Sequence, residues 1–214
     1  MVLDKFALVY PVLAVLGAYL LGSLSFAVIV SRAMGLSDPR TFGSKNPGAT
    51  NVLRSGSKAA AIVTLLLDAL KGWLPVALVI RFGGAYGLEE GTQAMVGLAA
   101  FLGHLYPVFF RFVGGKGVAT ALGVVIATSP WLGLATGASW LIVVFFSRYV
   151  SLASVVAAVF VPVYYLFGGG VAWVMDGSVL VCLVLMGALL VWRHSPNLSR
   201  LVQGTESKLG QKKA

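Results

Sequence analysis

One cysteine, two histidines and seven carboxylates in 214 residues close off much chemistry before any motif is read. Cys182 alone cannot form an intramolecular disulfide or a thiolate metal cluster. His104 and His194 stand 90 residues apart and no HExxH occurs, so local spacing assembles no transition-metal site, and no metal or cofactor is expected. Charged residues make up only 11%, against about 25% in soluble domains. Hydrophobic residues reach 58% and the mean hydropathy +0.92, which makes the chain an all-α integral membrane protein. The net charge of +9 comes from cations scattered between apolar runs. That pattern marks cytoplasmic loops rather than a nucleic-acid partner. The run from 6 to 30 is too long for a signal-peptide core and lacks a convincing cleavage site, so it is expected to stay as a first span. Without repeats, low-complexity tracts or a soluble segment, 1–214 is expected to be a single transmembrane domain.

About 20 apolar residues cross a bilayer core of about 30 Å. The apolar runs predict helices near 6–32, 57–81, 92–111, 117–129, 131–147, 151–167 and 177–193. The stretch 117–147 could be one span or a hairpin of two short helices broken at Thr128-Ser129-Pro130. Charge decides between them. With seven helices the inner side carries thirteen cations, from Arg32 through Lys213, and the outer side only Lys5 and Arg81. A merged middle pair would place Arg148 and the basic tail opposite the earlier basic loops, against the positive-inside rule. A seven-helix bundle with two short central helices is therefore expected, its N-terminus outside and its C-terminus cytoplasmic. Gly133-x-x-x-Gly137 is expected to let one central helix approach a neighbour closely.

Three polar stretches, within 37–57, 103–120 and 193–206, then share the cytoplasmic side. The first, GSKNPGATNVLR at 43–54, offers Ser44, Lys45, Asn46, Thr50, Asn51 and Arg54 with Asp38 the only nearby carboxylate. Donors without acceptors suit an anion, although the same loop could be a turn with orienting cations. The second, GHLYPVFFRFVGGKGVAT, places Gly114, Gly115, Lys116 and Gly117 between two helices. Glycine amides, a helix N-terminus and a lysine suit a phosphate, but a tight inter-helix turn would also need glycine. The GxxxxGK[ST] pattern is missing, so no nucleotide P-loop is implied. The third, RHSPNLSRLVQGTE, reads as a short helix with Ser195 as N-cap, Pro196 at the first helical position and Gly204 past the end. Leu198, Leu201 and Val202 form an apolar stripe suited to the membrane surface. Asp68 and Lys71 fall inside the second span on one helical face and read as a neutralised structural pair, and Glu206 as a structural partner for a nearby cation.

In order and placement these three stretches resemble the motifs of the bacterial acyl-phosphate:glycerol-3-phosphate acyltransferases, the PlsY family, over nearly the whole chain. The resemblance implies an inner-membrane enzyme, its active site facing the cytoplasm, that moves a fatty acyl group from acyl-phosphate to the 1-hydroxyl of glycerol 3-phosphate. The products would be lysophosphatidic acid and phosphate, in the first acylation of phospholipid synthesis. A functional link to the enzyme that makes acyl-phosphate follows from the same resemblance. It implies functional roles for Ser44 and Arg54, for His194, Asn197 and Glu206, and acyl-phosphate binding by the glycine turn. Lys45 stands where the family often has glycine. The HxxxxD pair of thioester-using acyltransferases is missing, because Phe109 follows His104 and Ser199 follows His194 at that spacing.

An acyl-phosphate is already activated, so no strong nucleophile is needed. Lys116, Arg54 and loop amides are expected to hold the phosphates while Ser44 and Asn197 orient them. His104, beside the glycine turn, is expected to contact substrate. A carrier or channel for an organic phosphate is the rival reading, and it would more naturally show repeated halves and helices broken at mid-membrane. A non-catalytic lipid-binding scaffold would leave Ser44 and Lys116 dispensable.

Overall fold

The computed structural model describes residues 8–211. The expected helix start at Phe6, and the topological assignments of Asp4, Lys5, Lys212 and Lys213, lie outside the described residues. Ten α-helices occur among the described residues: α1 (Val9–Gly22), α2 (Phe26–Ala33), α3 (Ala49–Leu53), α4 (Lys58–Phe82), α5 (Glu90–Leu105), α6 (Val118–Thr128), α7 (Pro130–Ser147), α8 (Val150–Gly168), α9 (Gly177–Arg193) and α10 (Ser195–Val202). Helix occurs within each of the seven apolar runs, but the third leaves its α-helix at Leu105 and ends in a 3-10 turn at Val108–Phe110. Four helices are long and apolar enough to cross a membrane alone, and up to six spans result if each bent pair, α1 with α2 and α9 with α10, counts as one.

The first run is not one helix, as its hydropathy suggested. It breaks at 23–25 with a 45° bend. Ser23 Oγ donates back to the Tyr19 carbonyl at 2.8 Å, and the Val28 amide turns to Ser25 O at 3.0 Å instead of Leu24 O. Lys71 Nζ takes up the released Leu24 carbonyl at 2.7 Å, so a buried cation of α4 caps the break. Such carbonyls are costly in hydrocarbon unless a neighbour satisfies them.

The break inside 117–147 falls where Ser-Pro predicts it. Ser129 is the N-cap of α7, its hydroxyl accepting from the Leu132 amide at 3.4 Å, and Pro130 opens the helix, where its missing N–H costs nothing. Only one of the two central helices is short, however. The 11 residues of α6 give roughly 16 Å, whereas the 18 of α7 give roughly 27 Å and pass as a span. Nothing between Pro130 and Ser147 interrupts the apolar run, and α7 ends only where Arg148 turns left-handed.

The helices group into two compact units, 1–128 and 129–214, dividing at this break. In the first, glycines allow backbone contact: Gly22 of α1 meets Ala100 of α5, and Gly72 and Gly123 bring α4 and α6 together. In the second, Ser139 of α7 bonds Tyr164 of α8 at 2.8 Å, and Trp140 Nε1 donates to Ser154 Oγ at 3.1 Å. The expected role of Gly137 is not realised, since a Cβ there would meet nothing within 4 Å. Small size allows close packing but does not choose the helix face that packs.

Candidate active site

In the first unit the loop 37–54 is organised around one side chain. Asn51, 2% exposed on α3, spends its whole hydrogen-bonding capacity inside the loop. Its Oδ1 accepts from the Ser44 amide at 3.0 Å and from Arg54 Nη1 at 3.2 Å. Its Nδ2 donates to Pro39 O at 2.6 Å and Phe42 O at 3.1 Å. The sequence reading groups Asn51 with the substrate contacts. The geometry corrects that, because both amide protons and both acceptor positions are occupied, so Asn51 acts by holding Ser44 and Arg54. Ser44, Lys45, Thr50 and Arg54 are exposed around it, and Asn46 is half-buried. Gly43 and Lys45 both take left-handed backbone, φ +59° and +55°. A left-handed conformation is unfavourable for lysine, and of the four non-glycine residues that adopt one among those described, Lys45, Arg111 and Phe112 lie in the first two motif stretches.

Asp38, the one carboxylate of this loop, is engaged by Arg40 through Nη2 at 2.6 Å and Nε at 3.0 Å. The Arg40 hydrogen bonds outweigh burial and lower the Asp38 pKa below its ordinary value. The Arg40 guanidinium also lies 5.8 Å from the ring centre of Phe110, tying the loop to the turn that follows α5.

The glycine turn at 114–117 follows the end of α5. Gly114, Gly115 and Gly117 are buried and Lys116 is half-buried. A Cβ at Gly114 would strike the carbonyls of His104 and Leu105. One at Gly115 would strike the His104 ring on one side and the Pro47 carbonyl on the other, and one at Gly117, φ +80°, would strike Phe101. Gly115 therefore lies between α5 and the first motif, and the two motifs touch within one compact unit. Of the turn's amides, that of Gly115 is used inside the protein, donating to His104 O at 3.1 Å. Lys116 follows directly and stands before the first amides of α6, which have no partner within their own helix.

His104 itself is buried, 8% exposed. Its Nδ1 lies 3.1 Å from Thr120 Oγ1 and 3.6 Å from Asp68 Oδ1. Asp68 pairs with Lys71 at 2.7 Å, both almost fully buried. The sequence reading has Asp68 and Lys71 as a pair but puts His104 among the substrate contacts. The structure joins all three, with Thr120 added. Thr120 was missed; its one sequence signal is a hydroxyl in the first turn of a mostly apolar helix.

The second unit holds the third motif at a 54° bend between α9 and α10. The N-cap of α10 is His194 rather than Ser195, which is its first residue, and Gly204 follows the helix with φ +68°. His194 Nδ1 lies 2.8 Å from Leu190 O. Glu206 gathers three partners: Asn197 Nδ2 at 2.6 Å and Ser151 Oγ at 2.8 Å on Oε1, and Arg200 Nε at 2.7 Å on Oε2. Burial works to raise the Glu206 pKa, but these bonds outweigh it and hold the carboxyl below its ordinary value. Asn197 is 9% exposed, so Glu206 fixes its orientation. Ser151 was missed, since nothing in sequence connects it to a residue 55 positions away.

The family model described as glycerol-3-phosphate acyltransferase matches residues 12–204. A glycerol-3-phosphate acyltransferase of Albidiferax ferrireducens is 71% identical over 203 residues, 95% of this chain and 91% of that protein. One of Paraburkholderia phytofirmans is 60% identical over 198 residues, 92% of this chain and 89% of that protein. Among solved structures, the chain is similar to the crystal structure of PlsY (YgiH), an integral membrane glycerol 3-phosphate acyltransferase, in its glycerol 3-phosphate form. The TM-score is 0.86 at 40% identity, covering 94% of this chain and 96% of the other. The lysophosphatidic acid form of that protein gives 0.84 at 39%.

Proposed function

Since the chain belongs to the glycerol-3-phosphate acyltransferase family, an enzyme family of multi-span membrane proteins, we propose that its acyl donor is acyl-phosphate and that glycerol 3-phosphate is acylated at its 1-hydroxyl. The products are lysophosphatidic acid and inorganic phosphate, made at the cytoplasmic face of the inner membrane by a chain whose N-terminus lies outside. The observation that carries this reading is the contact between the two phosphate-suited motifs in the first unit. Gly115 is packed against the Pro47 carbonyl, which joins the loop bearing Ser44 and Arg54 to the turn bearing Lys116.

The chemistry follows from the donor. An acyl-phosphate is a mixed anhydride whose leaving group is a stable anion. The glycerol hydroxyl attacks the acyl carbon, the bond from that carbon to the bridging oxygen breaks, and phosphate leaves with the electron pair. A substrate phosphate oxygen accepts the hydroxyl proton. Lys116 and Arg54 hold phosphate charge, and Ser44 orients the reacting groups; this is catalysis by positioning and electrostatic stabilisation. Ser44 as a covalent nucleophile is the weaker variant, and no acyl-Ser44 species should be trapped by mass spectrometry. The roles of His194 and Asn197 rest on the motif resemblance, with Glu206 as the orienting group.

The purified protein is given glycerol 3-phosphate with acyl-phosphate, acyl-coenzyme A or acyl-carrier protein as sole donor, and product is measured. Acyl-phosphate should be favoured by about a hundredfold or more, because a thioester leaves at least two charge-assisted hydrogen bonds unmade at about 1.5–3 kcal/mol each. Lys116→Ala should raise the acyl-phosphate KM, as a phosphate-holding cation serves ground and transition states alike. Comparable turnover with a thioester would refute the donor assignment.

A further inference from the structure

We propose that Asp68 is a positioning residue for the glycine turn, acting through the imidazole of His104. Charges buried at this depth in an apolar helix are costly, and a pair of them is often replaceable by apolar side chains. A role for the pair therefore has to come from what else it touches. Lys71 is accounted for by two contacts: it neutralises Asp68 at 2.7 Å and caps the Leu24 carbonyl at 2.7 Å where the first span breaks. Asp68 does something further, because the oxygen that meets Lys71 also faces His104 Nδ1 at 3.6 Å.

His104 is one step from the turn in two ways. Its main-chain carbonyl accepts the Gly115 amide at 3.1 Å, and its ring occupies the space that a Cβ on Gly115 would need. Thr120 Oγ1, on the first turn of α6, holds the same Nδ1 at 3.1 Å. Thr120 of α6 thus holds the ring at Nδ1, the Asp68 carboxylate of α4 faces the same nitrogen from 3.6 Å as an electrostatic partner, and the ring lies against the residue that precedes Lys116. A ring released from Asp68 turns, Gly115 follows, and the ammonium of Lys116 leaves its place. Displacements of about 1 Å at a substrate-positioning group cost up to about a hundredfold.

The inference rests on the reading that the turn holds acyl-phosphate, and the experiment separates the two. Full-length protein in detergent carries Asp68→Ala with Lys71→Met, a change that leaves no charge unpaired but uncaps the Leu24 carbonyl and so lowers the unfolding temperature, and separately His104→Phe, which keeps ring bulk beside Gly115, cannot be held at Nδ1 and leaves that cap in place. KM for each substrate, kcat and the unfolding temperature are measured. Both variants should raise the acyl-phosphate KM roughly tenfold while the glycerol 3-phosphate KM stays within about threefold of wild type. The unfolding temperature of His104→Phe, whose Asp68–Lys71 pair is intact, should remain close to wild type. Wild-type acyl-phosphate KM in His104→Phe, or in a folded double variant, overturns the proposal, as does an equal rise in both KM values. Lys116→Ala is measured alongside. A wild-type KM there overturns the reading and the inference together. A raised KM there with wild-type values in the other variants overturns the inference alone.

Discussion

Asn51→Ala is the most demanding test of how the first motif is built. The substitution removes an amide that accepts from the Ser44 amide and Arg54 and donates to the carbonyls of Pro39 and Phe42. A buried polar group left without a partner costs about 1–3 kcal/mol. Ser44 is exposed and water can take its amide, and Phe42 O also accepts the Lys45 amide at 2.9 Å, so the cost falls mainly on the Pro39 carbonyl, about 1–3 kcal/mol. Each 1.36 kcal/mol is tenfold in rate, so kcat/KM should fall by about fivefold to about 150-fold as Ser44 and Arg54 lose their common anchor. Asn51→Asp should do no better. It keeps both acceptor contacts but sets a carboxylate oxygen against the Pro39 carbonyl, 2.6 Å from the present Nδ2 donor. Phosphate release with saturating glycerol 3-phosphate and varied acyl-phosphate reads the effect, and the unfolding temperature shows that the helices persist. A folded Asn51→Ala protein with kcat/KM within about threefold of wild type would refute the idea that this amide sets the loop.

Three further outcomes are expected. Lys45→Gly should be more stable than Lys45→Ala by about 1 kcal/mol, since the backbone there sits at φ +55° and only glycine adopts it without penalty; equal unfolding temperatures would show that the left-handed turn is not retained. Glu206 has a folded-state pKa below its ordinary 4.5, so its contribution to stability is full above that value and is lost as pH falls through the folded value. Glu206→Gln should therefore be less stable than wild type near neutral pH and converge with it in acid, and parallel stability curves would contradict the pairing. With Cys182 replaced, cysteines at 45 and 208 should resist an impermeant thiol reagent added to intact cells, and rapid labelling at either would overturn the cytoplasmic placement of both segments.

The helical runs, the Ser-Pro break and the polar motifs were legible in sequence because each depends on neighbours within a few residues. Hydropathy over about 20 positions marks a helix in hydrocarbon, Ser129 and Pro130 supply an N-cap and a first-turn proline, and runs of donors without carboxylates stand out in a chain with seven acids. The bend in the first span was not legible. Its stability depends on Lys71, 47 residues beyond the carbonyl it caps.

The same division runs through the site. Residue types and order determined the family and the list of polar candidates, since anion recognition requires particular side chains whatever fold presents them. Which candidates are engaged inside the protein was decided by long-range packing. Asn51 is consumed inside its own loop, and His104 is turned toward Asp68, 36 positions earlier in the chain. The Gly115 amide is taken by His104. A side chain's hydrogen-bonding capacity is finite, and in an apolar interior the first partner within reach takes it. Sequence determines how many donors and acceptors exist. Only the tertiary structure determines which of them the protein has already used.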